Sequence, residues 1–207
     1  MKYSKRKVGY ILNVVLILLE LIGLGVCIVK YKKVDISYYT VDSNLLALIT
    51  SCIYVVFSFL NKEIKKYVSI LKYISTLSLS VTFIVVIFVL APMYNFAYKY
   101  LLFNNELLYY HTLCPIIAII SFVFFEEHEI KGIRDNIRAM YFTICYATIL
   151  VILNILKYVE GPYPFLLLYQ NPIYVSIIWF VIILGGALFI SKIIEVFKNK
   201  VNLKFKL

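Results

Sequence analysis

Six long apolar runs dominate this sequence, and the segments between them carry most of its charge. The runs cover residues 8–29, 41–60, 73–92, 108–125, 139–156 and 172–191. A helix needs about 20 mostly apolar residues to span the hydrocarbon core of a bilayer, and each run is close to that length. The runs are too long for core strands and lack the wide polar face of a soluble amphipathic helix. The sequence therefore predicts an all-α, polytopic membrane protein with six transmembrane helices.

The composition argues against a soluble fold. Of the 207 residues, 63% are hydrophobic and 15% are charged, whereas a soluble domain averages about 45–50% apolar and about 25% charged residues. A soluble fold of this size has too little interior to hide so many apolar side chains. No linker or low-complexity segment divides the chain. Residues 1–207 are therefore predicted to form a single integral membrane domain that passes several times through the cell membrane.

The distribution of basic residues predicts the orientation in the membrane. The net charge is +10, but the basic residues form short clusters between the apolar runs, which favours a membrane topology over nucleic-acid binding. The segments 2–7, 62–72, 131–138 and 192–206 contain 16 Lys and Arg residues, and the alternate segments contain 5. Because cytoplasmic loops are the richer in Lys and Arg, both ends of the chain are expected on the cytoplasmic side.

The four cysteines, Cys27, Cys52, Cys114 and Cys145, all lie inside apolar runs. They are far apart in sequence and form no CxxC pair, so they indicate neither a zinc site nor a disulfide framework. Each is interpreted as a small buried hydrophobic residue. The sequence predicts no metal and no cofactor.

One acidic residue, Glu20, lies in the middle of the first apolar run. A charged group at that depth costs roughly 2.5–3.5 kcal/mol on insertion scales, so an intramembrane carboxyl group is a functional candidate. Two interpretations stay open. Glu20 is either a proton relay or catalytic acid, or a protonated or hydrogen-bonded group that joins neighbouring helices.

The start of the second run carries three polar residues, Thr40, Ser43 and Asn44, on one face of the predicted helix. Thr40 suits a helix N-cap, and Asp42 suits the positive end of the helix dipole, which would explain both without a function. Asn44 lies one turn into the apolar zone, where its side chain needs a hydrogen-bond partner.

The start of the fourth run carries His111, with Cys114 and Pro115 on the same face. A histidine at membrane depth usually faces a protein interior or an aqueous cavity. It is either an interfacial side chain bonded to a carbonyl group or a catalytic group. The second and fourth helices both start on the outer side, so Thr40 and His111 are predicted at similar depth. This favours one site between the helices.

Three short motifs at these positions resemble a known family. They are Tyr39-Thr40-x-x-Ser43-Asn44, His111-Thr112 with Pro115, and Tyr163-Pro164-Phe165-Leu166 before Pro172. The pattern is similar to the androgen-induced-gene-like family of six-helix membrane proteins and its small bacterial relatives. The animal members are threonine hydrolases of fatty acid esters of hydroxy fatty acids. The resemblance implies a threonine-type lipid esterase, with Thr40 as nucleophile and His111 as its partner.

The expected chemistry assigns a role to each motif. His111 would take the proton of the Thr40 hydroxyl, which is otherwise a weak nucleophile. Asn44, with Ser43 beside it, is expected to hold the oxyanion or orient the site. The segment Tyr163-Pro164-Phe165 is expected to cap the pocket from outside. The predicted substrate is a membrane lipid or lipid-like fatty acyl ester in the outer leaflet.

Other functions stay open at this stage. Cys114, one turn below His111, is an alternative nucleophile, which would make the protein a cysteine-dependent lipid acyltransferase. Six helices also suit a small transporter or channel, or a membrane protein with no catalytic activity. A closed pocket accessible to lipid would favour the enzyme, and a path through the bundle would favour the transporter. The sequence leaves protein partners open.

Overall fold

The structure is a computed structural model that describes residues 2–60, 64–163 and 166–206. Within these ranges every regular element is a helix, and no strand is present. The helices are α1 (Lys2–Tyr31), α2 (Tyr39–Phe59), α3 (Lys66–Met93), α4 (Tyr98–Phe103), α5 (Asn105–Phe125), α6 (Ile133–Ala139), α7 (Tyr141–Ile155) and α8 (Ile173–Lys206). Parts of α3 and α5 have π-helical geometry, namely Val86–Leu90, Leu108–Leu113 and Ser121–Phe125.

Five of the described helices, α1, α2, α3, α5 and α8, are long and apolar enough to cross a membrane. The α6–α7 pair passes the same test together, although the two helices meet at 44°, and it makes a sixth span when it is counted as one. This confirms the predicted all-helical class, with five or six described helices that could span a membrane. The predicted fifth run, residues 139–156, contains α7, whereas the polar α6 before it was not predicted.

The helix α6 was not predicted because it is polar. Asp135 of α6 is paired with Arg138, at 2.9 Å. Asn136 donates to Glu195 of α8 at 2.7 Å and accepts a hydrogen bond from Tyr73 of α3, also at 2.7 Å. These contacts satisfy the polar side chains of α6 against its neighbours. A search for apolar runs does not detect a helix that is held in this way.

Two lysines that the sequence assigns to a loop and a tail lie inside the bundle. Lys72 belongs to α3 and Lys198 to α8, and both are 0% exposed. Without them, the predicted cytoplasmic segments hold 14 Lys and Arg residues against 5 in the alternate segments. The predicted cytoplasmic segments therefore still hold the larger number of Lys and Arg residues, although the 16 counted from the sequence include these two buried lysines.

The bundle has two ends of different character. At the proximal end, Arg6 of α1 donates to the Phe57 carbonyl, and Lys198 of α8 donates to the carbonyls of Phe122 and Glu126. At the distal end, Tyr31 of α1 donates to Glu106 of α5. The helices α1, α2, α3 and α5 pack together, and α6, α7 and α8 pack against α3. The start of α2 therefore lies at the distal end, as does the start of α5.

An apolar layer fills the centre of the α1, α2, α3 and α5 bundle. Its side chains are 0–1% exposed, and they are Leu16, Ala47, Leu79, Cys114 and Ala118. Along each helix, the layer lies between polar residues of the distal end and polar residues of the proximal end. The two polar regions of the bundle are thus separated by closely packed apolar side chains.

Candidate functional site

A cavity of about 760 Å³ opens at the distal end of the bundle, and we call it the distal cavity. Its walls come from α1 and the loop after it, the start of α2, the end of α3, α4, the start of α5, and the segment before α8. Thr40 and His111 both line it. The structure thus brings together the two side chains that the sequence places at one depth. No direct hydrogen bond joins them among the described contacts.

Thr40 lies inside the first turn of α2 and is not its N-cap. The helix begins at Tyr39, and the capping residue is Tyr38, which makes no side-chain capping bond. The N-cap interpretation of Thr40 is therefore wrong. Thr40 is 8% exposed, and its side chain lies beside the hydroxyl of Tyr163. The hydroxyl group is thus held at the wall of the distal cavity and is not used by its own helix.

His111 is oriented by a backbone carbonyl of α4. Its Nδ1 lies 2.7 Å from the carbonyl oxygen of Leu101. A carbonyl oxygen only accepts hydrogen bonds, so Nδ1 carries the proton. In the neutral ring Nε2 is then the basic nitrogen. The sequence showed no group that could orient His111, because the partner is a main-chain atom ten residues away.

Glu106 is a further residue of the distal cavity that the sequence did not single out. It lies five residues before His111, in the α-helical first turn of α5, and both side chains line the cavity. Its carboxylate is 3.1 Å from the Lys30 ammonium group and 2.7 Å from the Tyr31 hydroxyl. The sequence feature that could have identified Glu106 is a lone acidic residue close to a histidine at a predicted helix start.

Asn44 and Ser43 lie behind Thr40 and do not line the distal cavity. Asn44 Nδ2 donates to the carbonyls of Thr40 and Tyr110, at 2.7 and 3.3 Å. Ser43 Oγ donates to the Thr40 carbonyl at 3.1 Å and lies 3.0 Å from Thr82 Oγ1. Both side chains orient the backbone around Thr40. The donors of Asn44 are used in these contacts, which leaves none for an oxyanion.

Cys114 and Glu20 lie deeper in the bundle. Cys114 is 0% exposed, belongs to the apolar layer and does not line the distal cavity. Glu20 is 2% exposed and lies beside Cys114, and its Oε1 has no hydrogen-bond partner among the described residues. The cysteine that does line the cavity is Cys27. Cys52 and Cys145 are exposed at the surface of the bundle, so the interpretation of all four cysteines as buried is wrong for these two.

A second, smaller cavity adjoins the first, and we call it the apolar slot. It has a volume of about 70 Å³ and lies between α3, α7 and α8, with walls that include Val85, Val86, Ala147, Val151, Trp179 and Ile183. Thr40, Leu90 and Tyr163 line both the apolar slot and the distal cavity. The candidate nucleophile therefore lies where an almost wholly apolar space meets a more polar one.

Tyr163 is the described part of the predicted pocket cap. It lines both cavities, and burial raises the pKa of its phenol to about 12. Its ring packs edge-on against that of Tyr38, with 6.0 Å between the ring centroids. Pro164 and Phe165 lie outside the described residues. The segment that connects α7 to α8 thus places a protonated phenol directly beside Thr40.

The mouth of the distal cavity carries one further acidic group, Asp35. It accepts hydrogen bonds from the Ser37 hydroxyl at 2.6 Å and the Ser37 amide at 3.1 Å, and these bonds hold the pKa of the Asp35 carboxyl below its usual value. Lys33 lies 3.5 Å from it. The two charged groups at the mouth are thus paired with each other.

A separate polar network lies on the proximal side of the apolar layer. Lys72 Nζ donates to Ser51 Oγ at 3.0 Å and lies 3.7 Å from Glu126 Oε1. The same carboxylate oxygen accepts from Asn13 Nδ2 at 2.9 Å and from Ser121 Oγ at 2.8 Å. These five residues tie α1, α2, α3 and α5 together. They form no part of the distal cavity.

Comparison of the chain with protein-family models, with curated proteins and with solved structures finds no match. The resemblance to the androgen-induced-gene-like family therefore stays a prediction. Among the described residues, no group of three or more His, Cys, Asp or Glu side chains could hold a metal ion.

Proposed function

We propose that this protein is an intramembrane hydrolase of fatty acyl esters, in which Thr40 is the nucleophile and His111 is the general base. One observation carries the proposal: Thr40 lies at the junction of the distal cavity and the apolar slot, and His111 lines the distal cavity. An ester links an apolar acyl chain to a more polar alcohol part. Its carbonyl carbon reaches Thr40 when the acyl chain enters the apolar slot and the alcohol part stays in the distal cavity.

The first half of the reaction makes an acyl-enzyme. Thr40 Oγ1 attacks the ester carbonyl carbon while its proton passes to His111 Nε2, directly or through one water. The carbon–oxygen π electrons move onto the carbonyl oxygen. When this oxyanion collapses, the bond to the alcohol oxygen breaks, and the leaving alkoxide takes the proton from Nε2. The acyl group is now bound to Thr40, and the alcohol is free.

The second half of the reaction restores the enzyme. A water molecule gives a proton to His111 Nε2 and attacks the acyl carbon, and collapse of the second oxyanion expels Thr40 Oγ1. The proton then returns to Thr40, and the fatty acid leaves. The Leu101 carbonyl keeps His111 Nδ1 protonated throughout, so Nε2 is the nitrogen that carries the proton in both halves.

The position of the apolar layer favours an enzyme over a channel. Leu16, Ala47 and Leu79 fill the bundle below the cavity with side chains that are 0% exposed. Transporter sites usually lie near the bilayer midplane, whereas the distal cavity lies at one end of the bundle. Cys114 belongs to the apolar layer, away from the cavity, which favours Thr40 over this cysteine as the nucleophile.

We assign the distal end to the outer face of the cell membrane. The bias of 14 Lys and Arg residues against 5 supports this orientation, since it would place the proximal end in the cytoplasm. The distal cavity would then lie at the headgroup level of the outer leaflet. A lipid ester could enter it with its acyl chain directed along the bilayer.

The proposal is tested by ester hydrolysis with purified protein in detergent. The substrate is a long-chain fatty acyl ester of 4-nitrophenol. We expect Thr40→Ala and His111→Ala to abolish hydrolysis, and Thr40→Ser to retain part of it because the hydroxyl is kept. Thr76→Ala is the matched control, because Thr76 is also a buried threonine but lines neither cavity, and its activity should equal that of the wild type.

Two results would contradict the proposal. Hydrolysis that is unchanged in both Thr40→Ala and His111→Ala would remove these residues from the reaction. Hydrolysis that survives these changes but disappears in Cys114→Ala would move the nucleophile to the cysteine and favour the acyltransferase alternative.

A further inference from the structure

The proposed reaction requires a hydrogen-bond donor for the oxyanion, and Asn44 has none to offer. The first turn of α2 contains backbone donors that find no acceptor within the helix itself. The amides of Val41 and Asp42 bond to the Tyr38 carbonyl, at 3.0 and 3.2 Å, whereas those of Tyr39 and Thr40 come too early in the helix to find an acceptor within it. The Tyr163 hydroxyl lies beside these two amides and beside the Thr40 side chain.

We propose that Tyr163 is a catalytic residue of this site, whose phenol O–H donates a hydrogen bond to the oxyanion formed at Thr40. The inference rests on the proposed hydrolase function and extends it by naming the group that stabilises the transition state. Two observations carry it. Tyr163 lines both cavities at the point where they meet, and its hydroxyl contacts the nucleophile's own side chain.

The surroundings of the phenol explain why it is a suitable donor. Its oxygen lies beside the amides of Tyr39 and Thr40, at the positive end of the α2 dipole. These N–H dipoles polarise the phenol and strengthen its own O–H as a donor. When Thr40 Oγ1 bonds to the carbonyl carbon, the carbonyl oxygen becomes negative beside this O–H. The phenol keeps its proton, and no further proton transfer is needed.

The ionisation state of Tyr163 agrees with this role. Because burial raises its pKa to about 12, the phenol stays protonated at any working pH of a membrane enzyme. A preorganised donor in a site with little water contributes most in the transition state, where the charge develops. Removal of one such donor lowers kcat by about 100- to 1,000-fold in well-studied cases.

The test uses Tyr163→Phe in the full chain, assayed with the same 4-nitrophenyl ester. We expect kcat to fall by about 100- to 1,000-fold, with KM within about threefold of the wild-type value. Tyr169→Phe is the control, because it removes a hydroxyl from the same connecting segment. That hydroxyl bonds to the Ile155 carbonyl and lines neither cavity, so this variant should keep wild-type kinetics.

A binding measurement separates catalysis from folding. A long-chain trifluoromethyl ketone forms a tetrahedral adduct with a serine or threonine nucleophile, whereas the ether analogue of the ester forms none. Tyr163→Phe should lose affinity for the ketone by about the same factor as kcat and should bind the ether as the wild type does. Equal loss of affinity for both compounds would show a structural role and overturn the inference.

The outcomes also separate this inference from the proposed function. If Thr40→Ala is inactive while Tyr163→Phe keeps a kcat within threefold of the wild type, the inference fails and the hydrolase proposal stands. If the wild-type protein hydrolyses no ester and binds no trifluoromethyl ketone, both fail together.

Discussion

Removal of the Glu126 carboxylate should destabilise this protein much more than removal of an exposed charge. Glu126 Oε1 lies 3.7 Å from Lys72 Nζ, and the two side chains are 3% and 1% exposed. The same oxygen accepts hydrogen bonds from Asn13 and Ser121. In Glu126→Leu the Lys72 ammonium group loses its carboxylate, and two buried donors lose an acceptor. The Ser51 hydroxyl, at 3.0 Å, remains as a neutral partner of Lys72.

The size of the effect follows from this burial. Removing one partner of a buried ion pair costs about 3–5 kcal/mol, because the other charge is left without compensation. Each kcal/mol lowers the Tm of a chain of this size by roughly 2–4 °C. We therefore expect the Tm of Glu126→Leu to fall by roughly 6–20 °C. The control Lys192→Met breaks a 2.8 Å pair with Glu195 in which the lysine is 45% exposed, and it should cost about 0–1 kcal/mol.

The assay is thermal unfolding in detergent, followed by helical circular dichroism. The double variant Lys72→Met/Glu126→Leu removes both charges, and it should recover most of the stability that Glu126→Leu loses, since an apolar pair can replace a buried ion pair. The reasoning is refuted if Glu126→Leu costs less than about 1 kcal/mol, the level of an exposed pair. A double variant no more stable than the single one would refute it as well.

Three further predictions concern the site, the packing and the orientation. In Ala147→Phe the new ring should fill the apolar slot of about 70 Å³, which has room for only a few methylenes, so kcat/KM for an eight-carbon acyl ester should fall by about tenfold relative to an acetyl ester, since each buried methylene contributes roughly 0.8 kcal/mol. An unchanged chain-length preference would place the acyl chain elsewhere. Gly23→Ala should cost about 1–3 kcal/mol, because a Cβ at Gly23 would lie 2.8 Å from Cε1 of Tyr110, whereas Gly25→Ala meets nothing within 4 Å and should be nearly neutral. Equal unfolding temperatures of the two glycine variants would contradict this packing. In a variant without the native cysteines, Lys99→Cys should react with an impermeant thiol reagent on intact cells and Lys65→Cys should not, and the opposite pattern would reverse the orientation.

The helices could be predicted because the bilayer fixes their length and polarity. Hydropathy identifies a span by its lack of charge. It therefore placed the start of α3 at residue 73, after its true start at Lys66, and treated Lys72 as a loop residue. The charge of Lys72 is compensated by Glu126, which lies 54 positions away in the sequence. A local pattern carries no information about such a partner. For the same reason the polar α6 was not recognised as part of a membrane span.

The position of the candidate site was predicted better than its contacts. Thr40 and His111 open two helices that start at the same end of the bundle, so sequence order alone predicts a similar depth. Their partners could not be found in this way. His111 is oriented by the main chain of Leu101, and Tyr163 reaches Thr40 from a segment more than 120 residues further on. Such contacts depend on how the helices pack, which spacing within one helix does not determine.

Covalent labelling of the nucleophile tests the central claim most directly. The purified protein is treated in detergent with a long-chain fluorophosphonate, and the modified residue is located by mass spectrometry of its peptides. The account predicts an adduct on Thr40, which is absent in Thr40→Ala, strongly reduced in His111→Ala and unchanged in Thr76→Ala. An adduct on Cys114 or another residue, or no labelling of the wild-type protein, would contradict Thr40 as the nucleophile.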